Sequence, residues 1–341
     1  MNDCGLVLLN LGSPDSFSIA DVKRYLGEFL MDERVIDAPY LVRSVIVKGF
    51  ILPFRPGRSA QAYSKVWTKD GSPLIAITEA FRKEIEPLVN MPVAIAMRYG
   101  NPTPTAALED LQYRNRNLKN LYIAPMYPHY AMSSYETAVK HVLNSIGNRY
   151  PVKVLKPFYK EDSYIDSLTE SIRPRIRGHV LFSYHGLPVR HLKKTDPAGN
   201  HCYTNPDCCN VPSKAWDTCY KHQVIETTKL VANKLGLSTD QYTISFQSRL
   251  GRDEWIKPFT AELLETFPSK GIKDLTVVCP AFVADCLETL EEMAITGREI
   301  FLKAGGGSFT MVPCLNTFKP WINTFASWCN EREKQNPALW V

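Results

Sequence analysis

Short apolar runs of β-forming residues recur along this chain, each followed by a longer amphipathic stretch, and that alternation leaves few folds open. The strand candidates are residues 5–11, 93–98, 121–126, 152–156, 179–185, 243–247, 275–279 and 310–312. Helical patterns lie between them, at 73–89, 135–146, 163–176, 216–235 and 281–302. In 216–235 the large apolar residues Trp216, Tyr220, Val224, Val231 and Leu235 share one stripe at near-four spacing. Strand–helix alternation of this kind is the mark of sheets covered on both faces. An α/β fold with parallel sheets covered by helices follows.

The two halves echo each other. Leu8-Leu9-Asn10-Leu11-Gly12-Ser13-Pro14 and Leu181-Phe182-Ser183-Tyr184-His185-Gly186-Leu187-Pro188 each run a strand into a Gly-x-Pro turn. Pro125 precedes Glu136-Thr137 as Pro280 precedes Glu288-Thr289. Four strands per half predict two similar α/β domains, over 1–150 and 151–317, and 341 residues suit two domains. Residues 318–341 would add a closing helix that packs back on the first domain. The crevice between the domains would lie at the carboxyl ends of the strands, where such sheets take ligands.

Several classes of protein drop out. Forty basic against thirty-five acidic residues give a net charge of +5 with no long basic run, so no nucleic-acid partner is expected. The most apolar stretch, 40–54, is interrupted by Arg43 and Lys48 and falls short of the ~20 residues of a spanning helix. The first residues carry no basic segment, and their apolar run is too short for a signal peptide. A cytoplasmic location with reduced cysteines is therefore expected. No dinucleotide or phosphate-loop glycine pattern follows any strand, and neither H-E-x-x-H nor G-x-S-x-G occurs.

Three features could carry chemistry. His185 ends an apolar strand and is followed by Gly186, a ligand-facing position in such a fold. Neutral imidazole there can take a proton or bind a metal, and a hydrogen-bonded structural histidine is the plain alternative. Asp285, Glu288 and Glu292 form an acidic stripe along 281–302. Like charges at that spacing cost roughly 0.2–0.5 kcal/mol per pair, which a solvated face tolerates. Placed at the sheet edge that carries His185, the same carboxylates could bind a cation or pass protons to solvent. Third, Cys202, Cys208, Cys209 and Cys219 crowd a polar, turn-rich insertion at about 191–219. In a cytosolic protein this favours a metal or cluster over free thiols, with zinc and Fe–S both open. Cys219 is expected in the first turns of the 216–235 helix, where the dipole favours thiolate. The vicinal pair Cys208-Cys209 needs a tight turn at Asn205-Pro206-Asp207 to aim both thiols inward. Arg55, Arg98 and Arg249 would suit a carboxylated ligand, and Phe50, Phe54 and Tyr63 a flat apolar one.

Five runs together resemble the ferrochelatase family over almost the whole chain. They are Leu9-Asn10-Leu11-Gly12-Ser13-Pro14, Arg98-Tyr99-Gly100-Asn101-Pro102, Ser183-Tyr184-His185-Gly186-Leu187-Pro188, the run 246–252 (Phe-Gln-Ser-Arg-Leu-Gly-Arg), and the run 279–292 from Cys279 to Glu292. The resemblance implies two Rossmann-like domains and the insertion of Fe²⁺, as substrate, into protoporphyrin IX. It implies that His185 meets Glu288 across the porphyrin as the catalytic pair, with Glu292 joining them in handling the metal. It aligns Arg55, Ser72, Arg98 and Arg249 with the propionates or the pocket wall, and Tyr63 with the aromatic pocket. It matches 40–56 to an apolar lip that closes over the macrocycle and can touch the bilayer, at the inner face of the membrane. Cys202, Cys208, Cys209 and Cys219 could supply the [2Fe-2S] centre that some members carry, with Zn²⁺ as the runner-up.

Three positions depart from parts of the family. Cys286 stands where animal members have a histidine, Leu11 where the coproporphyrin-using subgroup has a tyrosine, and the animal-type C-terminal cysteine extension is missing. Leu11 tilts the substrate toward protoporphyrin. The competing activities are a coproporphyrin III ferrochelatase and a cobalt or nickel tetrapyrrole chelatase. A porphyrin- or haem-binding carrier without turnover is the rival of another class. A monomer and a homodimer are both compatible with the sequence. The chemistry suits the resemblance: two pyrrole protons must leave, a histidine can take protons, and a nearby carboxylate favours its charged form. Holding the ring bent would expose the nitrogen lone pairs.

Overall fold

The computed structural model describes residues 3–249, 251, 253–331 and 339–341. Leu250 and Arg252 of the 246–252 run, and 332–338 of the closing segment, lie outside the described residues. Among those described, the strands are β1 Cys4–Ser13, β2 Val93–Gly100, β3 Asn120–Pro125, β4 Val152–Val154, β5 His179–His185, β6 Tyr242–Gln247, β7 Asp274–Val278 and β8 Ser308–Met311. They form two four-stranded sheets, ordered β2-β1-β3-β4 and β6-β5-β7-β8, and every pairing is parallel. The α/β class and the repeated four-strand pattern are as the sequence predicts. β1 and β5 are the equivalent inner strands, and both are buried almost throughout because neighbours and helices cover them on all sides.

Two compact units divide the chain. The first comprises 1–126, 132–156 and 325–341, and the second 127–131 and 157–324. The helix Lys319–Asn330 contributes Phe325 to unit 1, edge-on to Phe81, and Trp321 to unit 2, stacked on Phe158. In unit 1 the Gly12 turn has a steric cause. Its φ is +105°, and a Cβ there would stand 1.8 Å from the carbonyl oxygen of Tyr99. Only glycine lets β1 stay paired with β2 to its last residue.

Several helices differ from the sequence reading. The 216–235 pattern becomes a helix only at Tyr220–Leu235, after the short turn Lys214–Asp217, so Cys219 caps the helix rather than lying within it. The insertion begins with a helix, Val189–Lys194, and is less open than a loop. The stretch 40–54 is helical, as Tyr40–Ser44 running into the wide helix Val45–Ile51. Arg43 explains how a charged residue sits in an apolar run: it is buried and donates to the carbonyl of Ala38 at 2.8 Å. Leu41, Phe50 and Phe54 remain 77%, 69% and 76% exposed. Among the described residues no helix is long and apolar enough to cross a membrane.

A wide helical turn follows the third strand of each sheet, Met132–Glu136 in unit 1 and Glu288–Gly297 in unit 2. In unit 1 its terminal Glu136 is paired with Arg34 at 3.2 Å and Lys140 at 2.5 Å.

Candidate active site

The second unit brings Glu292 within electrostatic reach of both Glu288 and His185. His185 is the last residue of the inner strand β5, in register with Gln247 at the end of β6. Its Nδ1 lies 2.7 Å from the carbonyl oxygen of Gly186. A carbonyl only accepts, so Nδ1 carries the hydrogen and Nε2 of the neutral ring keeps its lone pair.

The glutamates stand on the wide helix Glu288–Gly297, bonded i to i+5 rather than i to i+4. Such widened turns put residues four apart close to one line and cluster at functional sites. Thr289, Met293 and Gly297 form the buried line. Met293 sits in the core with Leu181, Leu264 and Phe301, which fixes the rotation of the helix. Glu288 and Glu292 form the adjacent, half-buried line. Burial pushes the Glu292 carboxyl up from its ordinary value. The Ser248 hydroxyl opposes that, the charge of Glu288 adds to it and His185 opposes it, and the net direction is upward. Ser248 donates to both oxygens of Glu292, from its N–H at 2.9 Å and its hydroxyl at 2.5 Å. Cys286 is buried with its thiol held well above the usual range, first by burial and then by the charge of Glu288, to which it also hydrogen-bonds.

Asp285 does not belong to this group, which corrects the three-residue stripe. The helix starts at Glu288 rather than 281, so Asp285 precedes it. Its carboxylate is buried and accepts from Asn316 at 2.6 Å, Thr289 at 2.9 Å and the Cys314 N–H at 3.3 Å. It anchors the chain entering the helix. Gln247 and Ser248 are residues that sequence reasoning gave no role. A signal was available in position: Gln247 ends its strand and Ser248 follows it, beside the strand end that carries His185.

In unit 1, Arg55 opens the helix Arg55–Val66 and buries an Nη1 that has no hydrogen-bond partner among the described residues. Tyr63 is buried edge-on to Trp67, and Ser72 donates to Ser13 at 2.7 Å. Arg98 donates to Asp32 at 2.5 Å and to Thr137 at 2.8 Å. Burial works against the charge of Asp32, but Thr137, the Arg34 N–H, Tyr99 and Arg98 outweigh it and hold the carboxyl below its ordinary value. In unit 2, Arg249 is exposed and lies over the ring of Phe259.

All four loop cysteines are buried and free. The tight turn is present: the Cys208 N–H bonds back to the Asn205 carbonyl, and Cys208–Asn210 forms a helical turn. Polar interaction among the three thiols lowers the Cys219 thiol from its ordinary value and raises those of Cys202 and Cys209. Among the described residues no group of three or more His, Cys, Asp and Glu side chains is arranged to hold a metal ion.

The architecture is that of known chelatases. SirB from Bacillus subtilis with Fe³⁺ aligns over 98% of this chain and 97% of its own, with a TM-score of 0.53 at 11% identity. The sirohydrochlorin chelatase SirB from Bacillus subtilis subspecies spizizenii, in complex with cobalt, gives 0.52 at 10% over 97% of each chain. At such identity the likeness concerns the fold alone. The ferrochelatase family profile matches residues 3–333. A ferrochelatase of Opitutus terrae is 46% identical over 329 residues, 94% of this chain and 95% of its own. One of Pseudomonas fluorescens is 44% identical over 324 residues, 93% of this chain and 94% of its own. The protein is thus a metal chelatase, an enzyme of the lyase class. Within that class, the chain belongs to the ferrochelatase family.

Proposed function

We propose that the insertion of Fe²⁺ into protoporphyrin IX, with release of two pyrrole protons to give protohaem, runs on His185, Glu288 and Glu292. The observation that carries this reading is the strand-end histidine with its Nδ1 committed to Gly186 and the half-buried Glu292, which feels both His185 and Glu288. Nε2 takes the pyrrole protons one at a time, the carboxylates stabilise the imidazolium, and each proton passes by way of Glu288 or Glu292 to solvent before the next is taken. The same carboxylates offer hard oxygen donors to Fe²⁺ as its waters are stripped. Leu11 in place of a tyrosine favours protoporphyrin over coproporphyrin III. Protoporphyrin fluorescence should fall when Fe²⁺ is added without oxygen, faster than that of coproporphyrin III. Faster coproporphyrin turnover would transfer the enzyme to that substrate, and porphyrin binding without metalation would make it a carrier. Turnover with Co²⁺ or Ni²⁺ but not Fe²⁺ would change the metal.

Porphyrin contacts through Arg55, Tyr63, Ser72, Arg98 and Arg249 belong to the same proposal. The unpartnered Nη1 of Arg55 suits a carboxylate, whereas Arg98, already neutralised by Asp32, suits a wall position. The exposed apolar face over 40–54 serves as the lip and as a peripheral membrane contact. A Phe side chain taken out of water contributes roughly 1.5–3 kcal/mol. Replacing Phe50 and Phe54 together by Ser should lower binding to phospholipid vesicles by at least about ten-fold, measured by co-sedimentation. Unchanged co-sedimentation would remove the membrane role.

What supports an inorganic centre is donor chemistry: four buried thiols in one loop, with Cys202, Cys209 and Cys219 near enough to shift one another's ionisation. Cys202, Cys208, Cys209 and Cys219 would hold a [2Fe-2S] centre, with Zn²⁺ as the second candidate. Bound there, the centre would supply a redox-active, structure-bracing cross-link. The chain's own part is to bury the thiols, to place Cys219 as helix cap and to turn Cys208-Cys209 inward. Anaerobically purified protein should be brown and release acid-labile sulfide. Ser at any of the four positions should abolish the colour, and Cys286→Ser should not. Bound zinc without sulfide would select the second candidate, and a preparation free of iron and zinc would reject both.

A further inference from the structure

The end of β6 does something that neither the strand nor the helix facing it requires. Gln247 closes the strand with its side chain fixed: it is 4% exposed, and its Oε1 accepts from Ser183 at 2.8 Å and from the Cys279 thiol at 3.9 Å. The next residue, Ser248, turns left-handed with φ 67°. Residues other than glycine seldom enter that region, and serine has little of the tolerance that asparagine and aspartate show there. Backbone outliers of this kind persist where the surroundings over-determine them, and they collect at functional sites.

The left-handed turn has one visible consequence. It aims the N–H and the hydroxyl of a single residue at a single carboxylate, the N–H at Oε1 and the hydroxyl at Oε2 of Glu292. A carboxylate held through one oxygen can swing about its last bond, whereas one held through both has its plane fixed. Glu292 needs such holding, because Glu288 stands one wide turn away on the same line and repels it. Each Glu292 oxygen also keeps a further acceptor site.

We infer that Ser248 is the positioning residue of the metalation site, fixing the Glu292 carboxylate beside Glu288 and His185 so that its free acceptor sites face the incoming Fe²⁺. This rests on the reading of Glu292 as part of that site. Ser248→Gly relieves the backbone and keeps the N–H, and Ser248→Ala keeps the backbone constraint and loses the hydroxyl. Both should raise KM for Fe²⁺ by about five-fold or more while KM for the porphyrin stays unchanged, with no further loss when either is combined with Glu292→Gln. The glycine variant should melt no lower than the parent, so that the effect cannot be laid to stability.

Parent-like KM for Fe²⁺ in both Ser248 variants would overturn the inference, as would losses that simply add to that of Glu292→Gln. If Glu292→Gln alone is defective under those results, the positioning role fails and the role of Glu292 stands. If Glu292→Gln has parent kinetics, both fail together.

Discussion

His185→Ala should bind porphyrin and lose turnover by roughly 10²–10⁴-fold, the range for removal of a positioned general base. Folding should survive, because the ring is half-buried and its one hydrogen bond runs to the neighbouring Gly186 carbonyl. The imidazole leaves behind the buried Gly186 carbonyl without that donor, a cost of about 1–3 kcal/mol that lowers the melting temperature without unfolding the chain. Porphyrin affinity measured by fluorescence quenching separates binding from chemistry. A variant that metalates at near-parent rate would withdraw His185 from the reaction.

Glu288→Gln should be the second most damaging change, with turnover down roughly 10²-fold. The substitution keeps the shape and removes the charge that acts on both Cys286 and Glu292. Glu292→Gln should cost less, about ten-fold, because the Ser248 hydrogen bonds already satisfy part of its charge. Steady-state rates at saturating porphyrin and varied Fe²⁺ would rank the two. Equal and negligible effects would return this line of the helix to a solvated face.

Much of the frame was legible in the sequence because short β-rich runs alternate with amphipathic stretches, and the inner strands β1 and β5 stand out as nearly continuous apolar runs. His185 was legible as a strand end for the same reason: the apolar run stops there and a glycine follows. The wide helix was not. Its apolar residues fit an ordinary helical period nearly as well, so the pattern gave no sign that the helix begins at Glu288 and that Asp285 stays outside. The Asp32–Arg98 pair joins residues 66 positions apart, and a lone arginine carries no mark of its partner. Ser248 hid its left-handed turn because serine, unlike glycine or asparagine, does not advertise one. The cysteine turn was readable, since Asn-Pro-Asp is turn chemistry in its own right.

The shared strand order of the two sheets has an electrostatic consequence. Each frame carries a Glu-Thr pair at its wide helical turn, Glu136-Thr137 in one and Glu288-Thr289 in the other. In the first, Arg34 and Lys140 cancel the glutamate. In the second, among the described residues, no arginine or lysine pairs with Glu288 or Glu292. If Glu288 and Glu292 handle the metal as proposed, a divalent cation would meet one glutamate neutralised by cations and one pair held only by neutral hydrogen-bond donors. On the proposed reading the duplicated scaffold is used unevenly, with Arg34 and Lys140 neutralising the glutamate of the copy that lacks His185.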